Sequence, residues 1–171
     1  MGRISRYMVM VATIVATACG TIAEELPSYS ATSIARVGDA APQFEITSLE
    51  GVSWQMPCGK QTLLILFSHT CPDCIALLDE IEQYIESGKA MPHTIAIARG
   101  ATESEIESFR IDNRYSIDMA ADSTAEIYNA YATMYVPRCY VIDHRGIIEH
   151  MTYEYSEGQI TELLHHMNTT N

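Results

Sequence analysis

Apolar positions change period several times along the chain, and each change predicts an element. Leu63 to Phe67 is an unbroken apolar run, the pattern of a central strand buried on both faces. After it, Leu78, Ile81 and Ile85 recur at helical spacing, and Gly88 ends that helix. Thr94 to Ala98 reads as a second buried strand. Thr102-x-x-Glu105 has the spacing of a capping box and opens a short helix, with an extended piece following near Ile117. Ser123-x-x-Glu126 opens another helix, with Ile127, Ala130, Tyr131 and Met134 on one face. Cys139 to Ile142 and Ile147 to Met151 flank Asp143-His144-Arg145-Gly146, a hairpin turn. Ser156-x-x-Gln159 caps a last helix, lined on one side by Ile160, Leu163, Leu164 and Met167. Upstream, Gln43 to Thr47 is a strand and Leu49-Glu50-Gly51 a turn. A βαβ half followed by a ββα half predicts an α/β fold, a central mixed sheet with helices on both faces.

Composition narrows the setting. The 171 residues suit one domain with a real core plus some targeting sequence. With 47% hydrophobic and 19% charged residues, the composition is ordinary for a globular protein and argues against overall disorder. A net charge of −12 repels phosphate backbones, so nucleic acid is not an expected partner. Met1 to Arg6 carries two arginines and no acid, and Tyr7 to Ala18 is an apolar stretch too short for an ordinary membrane span. That layout reads as an export signal. Its loss would remove Arg3 and Arg6, taking the net charge from −12 to about −14.

The stretch ends in Ala16-Thr17-Ala18-Cys19-Gly20, which resembles a bacterial lipobox with Ala16 where leucine is usual. The expectation is a signal peptide over 1–18, a lipidated Cys19 that anchors the chain to a membrane, a flexible tether over 19–37, and a folded domain over 38–169. Simple cleavage with Cys19 incidental is the alternative. Ala23-Glu24-Glu25 resembles surface-export signals of some Bacteroidetes lipoproteins, and a solvated linker has the same composition. Both readings place the domain in the cell envelope, facing the periplasm or on the outer membrane, where disulfide chemistry persists.

The candidate chemistry lies in Phe67-Ser68-His69-Thr70-Cys71-Pro72-Asp73-Cys74, which joins a buried strand to a helix. A helix N-terminus has unpaired N–H groups and a partial positive charge, which favour a thiolate. Cys71 sits there, and Pro72 suits the first turn because its missing N–H is not needed. Cys74 lies one turn further in, close enough to form a small disulfide ring. Cys71 is thus the expected nucleophile and Cys74 the resolving thiol. Zinc is the competing reading, but it takes four ligands, often as two such pairs, and no second CxxC occurs. A purely structural disulfide is the other. No cofactor is expected beyond a redox-active Cys71–Cys74 disulfide.

These motifs resemble the thioredoxin superfamily, and within it the TlpA/ResA-like branch of membrane-tethered thiol–disulfide oxidoreductases. Gly38-Asp39-Ala40-Ala41-Pro42-Gln43-Phe44 is similar to the opening G-x-x-A-P-x-F of that branch and of peroxiredoxins. Leu63 to Cys74 is similar to the strand, active-site loop and CxxC helix, and Val136-Pro137 to Gly146 to V-P-x-x-x-x-I-D-x-x-G. The resemblance covers roughly residues 38 to 168. It implies a three-layer thioredoxin-like fold with an N-terminal extension strand and an inserted helix and strand over 103–119. It also implies a cis Pro137 beside Cys71, whose neighbouring backbone, with Val136, pairs with an extended substrate segment. His69, Thr70, Pro72 and Asp73 complete the active-site loop. The implied substrates are disulfide-containing envelope proteins, and the implied electron donor is a membrane thiol-transfer protein.

Two positions depart from the family. Thr70 stands where Trp usually precedes the first cysteine, and Ile65 where thioredoxins carry a buried acid that helps deprotonate the second. His69 and Glu80 are candidate replacements, each equally readable as a surface or helix-face residue. Asp73 opposes a Cys71 thiolate by about 1 kcal/mol for a partly solvated pair, which favours a reductant or mild isomerase over a strong oxidase. Helping the helix N-terminus is its other reading. A peroxiredoxin-like peroxidase is the alternative function, although Leu64 and Ser68 replace the proline and threonine of P-x-x-x-T-x-x-C. A non-catalytic binding module is the third. Cys58 reads as a loop thiol and Cys139 as a buried one, with a relay to the CxxC as the other possibility.

Overall fold

The computed structural model describes residues Leu26 to Thr169; the signal-peptide and Cys19 expectations lie outside them. Strand β1 (Phe44–Thr47) and β2 (Ser53–Met56) form an antiparallel hairpin of their own. The chain then runs β3 (Thr62–Phe67), α1 (Pro72–Glu86), β4 (His93–Arg99), α2 (Glu103–Asn113), β5 (Met119–Asp122), α3 (Glu126–Tyr131), β6 (Arg138–Ile142), β7 (Ile148–Thr152) and α4 (Gln159–Thr169). The main sheet has the order β5-β4-β3-β6-β7, with β3, β4 and β5 parallel and β6 and β7 antiparallel to their neighbours. This is the mixed sheet that the element order predicted. No helix among the described residues is long and apolar enough to cross a membrane.

Every residue of β3 is buried, because the strand is central and covered on both faces. Its alternation sends Leu63, Ile65 and Phe67 to one face, where they pack with Cys74, Leu78 and Ile81 of α1, Ile106 of α2 and Leu164 of α4. Leu64 and Leu66 point to the other, against Trp54, Met56, Tyr128, Tyr131 and Tyr140. Helices do cover both faces, but unequally. The second face is closed by the six-residue α3, the β1–β2 hairpin and the N-terminal segment. β2 was not anticipated, although Ser53 to Met56 alternates exposed and buried; four residues are too few to stand out from a loop.

Two helix starts differ from the sequence reading. α3 begins after Ala125, which is left-handed at φ 58°, and its cap is the Asp122 carboxylate accepting from the Tyr128 N–H at 2.8 Å rather than Ser123. Tyr128 and Tyr131 are its buried residues, and Met134 lies beyond its end, exposed. At α4, the Glu80 carboxylate of α1 accepts from the N–H groups of Gly158 and Thr161 at 3.1 and 2.9 Å. A partner from another helix outcompetes the local Ser156 because a carboxylate is the stronger acceptor at a helix N-terminus. The capping box at α2 forms as expected, with Thr102 and Glu105 satisfying each other's backbone N–H.

The described end of the expected tether, residues 26–37, is held against the domain. Residues 19–37 were expected to be flexible, yet within the described part Thr32, Ser33 and Ala35 are buried. The Ile34 and Ala35 N–H groups donate to the Tyr131 carbonyl at 3.0 and 3.1 Å, and Ser33 bridges to Ala132. Pairing of backbone and small polar side chains holds this segment, so hydrophobic periodicity carries no trace of it.

Candidate active site

Cys71 is the N-cap residue of α1, with extended backbone at φ −91° and ψ 120°, and Pro72 follows in the first turn. Its N–H donates to the Ser68 carbonyl at 3.1 Å, and its own carbonyl accepts from Ile75 at 3.1 Å, so the loop from Ser68 is a closed turn feeding the helix. Thr70 is exposed, its hydroxyl 3.1 Å from that of Ser68. Asp73 is exposed on the first turn beside the thiols. The four cysteines of the described residues are free thiols.

The two cysteines of the pair have different surroundings. Cys71 is half-buried, and its S–H donates to the Val136 carbonyl with Sγ–O 3.7 Å. The Val136–Pro137 peptide bond is cis, as the resemblance implied, and Pro137 is buried. A turn 65 residues away in sequence is thereby brought against the first thiol. Cys74 is fully enclosed between α1 and the sheet. Burial pushes its thiol strongly up, and neither the Ser68 N–H, whose nitrogen lies 3.5 Å from Sγ, nor anything else nearby offsets that; contact with Cys71 adds to the rise. Cys71 thus faces the surface and Cys74 stays a neutral thiol.

Neither candidate base is positioned on Cys74. Glu80 is committed to the N-terminus of α4. His69 forms a T-shaped ring pair with Phe109, centroids 6.1 Å apart, and its Nδ1 is buried without a hydrogen-bond partner. Ile65 is fully buried in the cluster that contains Cys74 and Cys139, so no acid replaces the missing one there. If Glu80 only caps, Glu80→Ala costs about 1–2 kcal/mol in urea unfolding and leaves the pH profile of thiol exchange unchanged.

Cys139 and Cys58 part company. Cys139 is buried beside the pair, with its thiol pushed up to about 12 by burial despite a hydrogen bond with Thr152. Cys58 lies near the other end of β3, 3.3 Å from Thr62 Oγ1 and 3.7 Å from His93 Nδ1. His93 stacks on Trp54 at 4.2 Å between centroids, and burial followed by the Lys60 charge holds its pKa below the ordinary histidine value. The His93 contact was not anticipated, since residues 35 apart meet only because β3 and β4 pair in parallel. Alkylation of the native, reduced protein should label Cys58 readily and Cys139 at least about 10²-fold more slowly, as mass mapping can read.

Among the described residues, no group of three or more His, Cys, Asp or Glu side chains is arranged to hold a metal ion. A concavity of about 870 Å³ lies away from the thiols, between β7 and α4, where Gln61, Asp143, His150 and Glu162 line it. Sequence reading also passed over Arg138, the residue after the cis proline, which is completely buried.

A cis proline facing a CxxC at a strand–helix junction, on this sheet order, defines a thioredoxin-like protein. The chain belongs to the AhpC/TSA family, whose profile matches residues 37–151. Among solved structures, it is similar to a candidate protein disulfide isomerase from Bacteroides thetaiotaomicron (24% identity, TM-score 0.72, 80% of this chain and 91% of that one). A candidate thiol:disulfide interchange protein DsbE from Chlorobium tepidum is also similar (17%, TM-score 0.67, 79% and 97%). So is the peroxidoxin BcpB from Mycobacterium tuberculosis (12%, TM-score 0.64, 80% and 99%). At these identities the likeness is one of fold. No curated protein matched the chain.

Proposed function

We propose that the protein is an extracytoplasmic thiol–disulfide oxidoreductase that reduces disulfides of envelope proteins through the Cys71/Cys74 dithiol. The observation that carries this reading is the half-buried Cys71 at the α1 N-terminus, with Sγ 3.7 Å from the Val136 carbonyl beside cis Pro137. The Cys71 thiolate attacks a substrate disulfide, forming a mixed disulfide and releasing a substrate thiolate. Cys74, once deprotonated, attacks Cys71 Sγ, releasing the second substrate thiolate and leaving the Cys71–Cys74 disulfide. An extended substrate segment pairs with backbone at Val136, while Pro137 closes that side of the site.

The substrate's two new thiols take up the protons that Cys71 and Cys74 release, so two electrons leave the protein per turn. A membrane thiol-transfer protein returns them, and the disulfide itself is the only cofactor. Asp73 places an exposed carboxylate on the first turn of α1 beside Cys71, and a negative charge there favours the reducing direction over strong oxidation. Lipidation of Cys19 would hold the domain at a membrane of the cell envelope.

Peroxidase chemistry is the second reading, favoured by the family match and by the fold shared with BcpB. It lacks support at the loop, where Leu64 and Ser68 replace the residues that shield and orient a peroxide-reactive cysteine. The deciding experiment is capture of mixed disulfides in cells that carry Cys74→Ser. Proteins attached to Cys71 support the reductase, whereas no captured protein, together with rapid peroxide consumption by the reduced variant, sinks it.

A further inference from the structure

Arg138 opens β6 directly after cis Pro137, and its side chain has 0% exposure. No carboxylate pairs with it among the described residues, where the ion pairs are Arg110–Glu50 and Arg145–Asp143. Neutral acceptors hold it instead. Nε donates to the carbonyls of Met134 and Tyr135 at 3.2 and 3.3 Å. Nη2 donates to the Met134 carbonyl and to Thr32 Oγ1, both at 2.7 Å, and more weakly to the Tyr29 carbonyl at 3.5 Å. Nη1 donates to Ser33 Oγ at 2.7 Å. An apolar residue of similar volume would fill this space without burying a cation. What the guanidinium supplies is a rigid planar fork whose donors fix two pieces of chain at once.

Those pieces are the turn before the cis bond and the N-terminal segment. In the turn, Tyr135 is left-handed at φ 71°, and its neighbour Val136 presents the carbonyl that Cys71 meets. From the segment, Tyr29 lays its ring 4.5 Å from that of Tyr135, and the Tyr135 hydroxyl donates to the Pro27 carbonyl at 2.9 Å. The Thr133 N–H donates to the Thr32 carbonyl at 2.9 Å. The N-terminal segment therefore braces the wall of the thiol site opposite α1.

We propose that Arg138 is a positioning residue that, with Thr32 and Ser33, clamps the 134–137 turn so that the Val136 backbone faces Cys71 for pairing with a protein substrate. In its catalytic arm this rests on the reductase reading. Residues 27–36 are then part of the working enzyme. A protein disulfide needs the backbone edge, whereas a small aromatic disulfide reaches Cys71 without it.

The full chain is compared with Arg138→Met, Arg138→Lys and the pair Thr32→Val with Ser33→Ala, using insulin and 5,5′-dithiobis(2-nitrobenzoate) as the two disulfides. Arg138→Met and the Thr32/Ser33 pair are expected to lower kcat/KM for insulin between about 10- and 10²-fold, with the small disulfide changed less than about twofold. Arg138→Lys keeps the charge but not the fork, and is expected to fall with Arg138→Met. Recovery of the wild-type ratio in Arg138→Lys would assign the effect to charge and overturn the clamp, as would an equal loss or no loss on both disulfides. If Arg138→Met does not fold, the Thr32/Ser33 pair carries the comparison. Amide hydrogen exchange reads the clamp without any activity: in the pair, residues 133–136 should exchange faster together with 29–35. Unchanged exchange at 133–136 overturns the clamp. A wild type that reduces neither disulfide overturns the reductase reading alone.

Discussion

Cys71→Ser is expected to lower the rate of protein-disulfide reduction by about 10³-fold or more, and Cys74→Ser to stop turnover after one step. The two losses differ in kind. With Cys71 replaced, the remaining thiol of the pair is fully enclosed and strongly biased to its neutral form, so it cannot stand in as nucleophile. With Cys74 replaced, Cys71 still attacks, but nothing behind it resolves the product, and a mixed disulfide accumulates. Neither variant should lose its fold, because Cys71 lies at a helix cap without a side-chain capping bond and serine is close in size to cysteine at position 74. The check is mass analysis of the species formed when each reduced variant meets a disulfide protein. A Cys71→Ser chain that still forms a mixed disulfide through Cys74 would contradict the assignment of roles.

The sequence made the centre of this molecule readable and its borders hard to read. β3, β4 and α1 carry strong periodicity because they bury apolar side chains on a two-faced sheet, and the CxxC sits at their junction. The Val136–Pro137 motif could be located through its resemblance, but its contact with Cys71 needed the pairing of β3 with β6. Other features are held by polar contacts between distant residues, which leave no period. Glu80 capping α4, Cys58 meeting His93 and the N-terminal segment lying on Arg138 are all of this kind. The tether looked like a tether because Thr, Ser and Ala have no hydrophobic signature, and those small side chains are what let the segment lie close to a buried guanidinium.

Cys74 also makes the reduced protein's stability depend on pH. Burial raises its pKa in the folded state well above the value of about 8.5 for an unfolded thiol. Above that unfolded value the unfolded chain gives up the proton while the native chain keeps it. Native protein then binds more protons than unfolded protein, so stability falls as pH rises, by at most about 1.4 kcal/mol per pH unit. The contribution is complete below about pH 8.5 and is lost progressively until pH passes the folded pKa. Cys139 and the buried tyrosines Tyr131 and Tyr140 are shifted in the same direction, so the raw curve mixes several groups. Subtracting the curve of reduced Cys74→Ser removes those shared terms and leaves a pH-independent offset plus the Cys74 contribution. Urea unfolding of the two proteins between pH 7 and 10 should therefore give parallel stabilities up to about pH 8.5 and a narrowing advantage for wild type above it. The same proton governs chemistry. Among the described residues no side-chain carboxylate or imidazole hydrogen-bonds to Cys74, so resolution of the mixed disulfide should depend on the small thiolate fraction and speed up about tenfold per pH unit below the folded pKa. A resolution rate that is flat with pH would mean that His69, or another base, reaches Cys74 when substrate is bound.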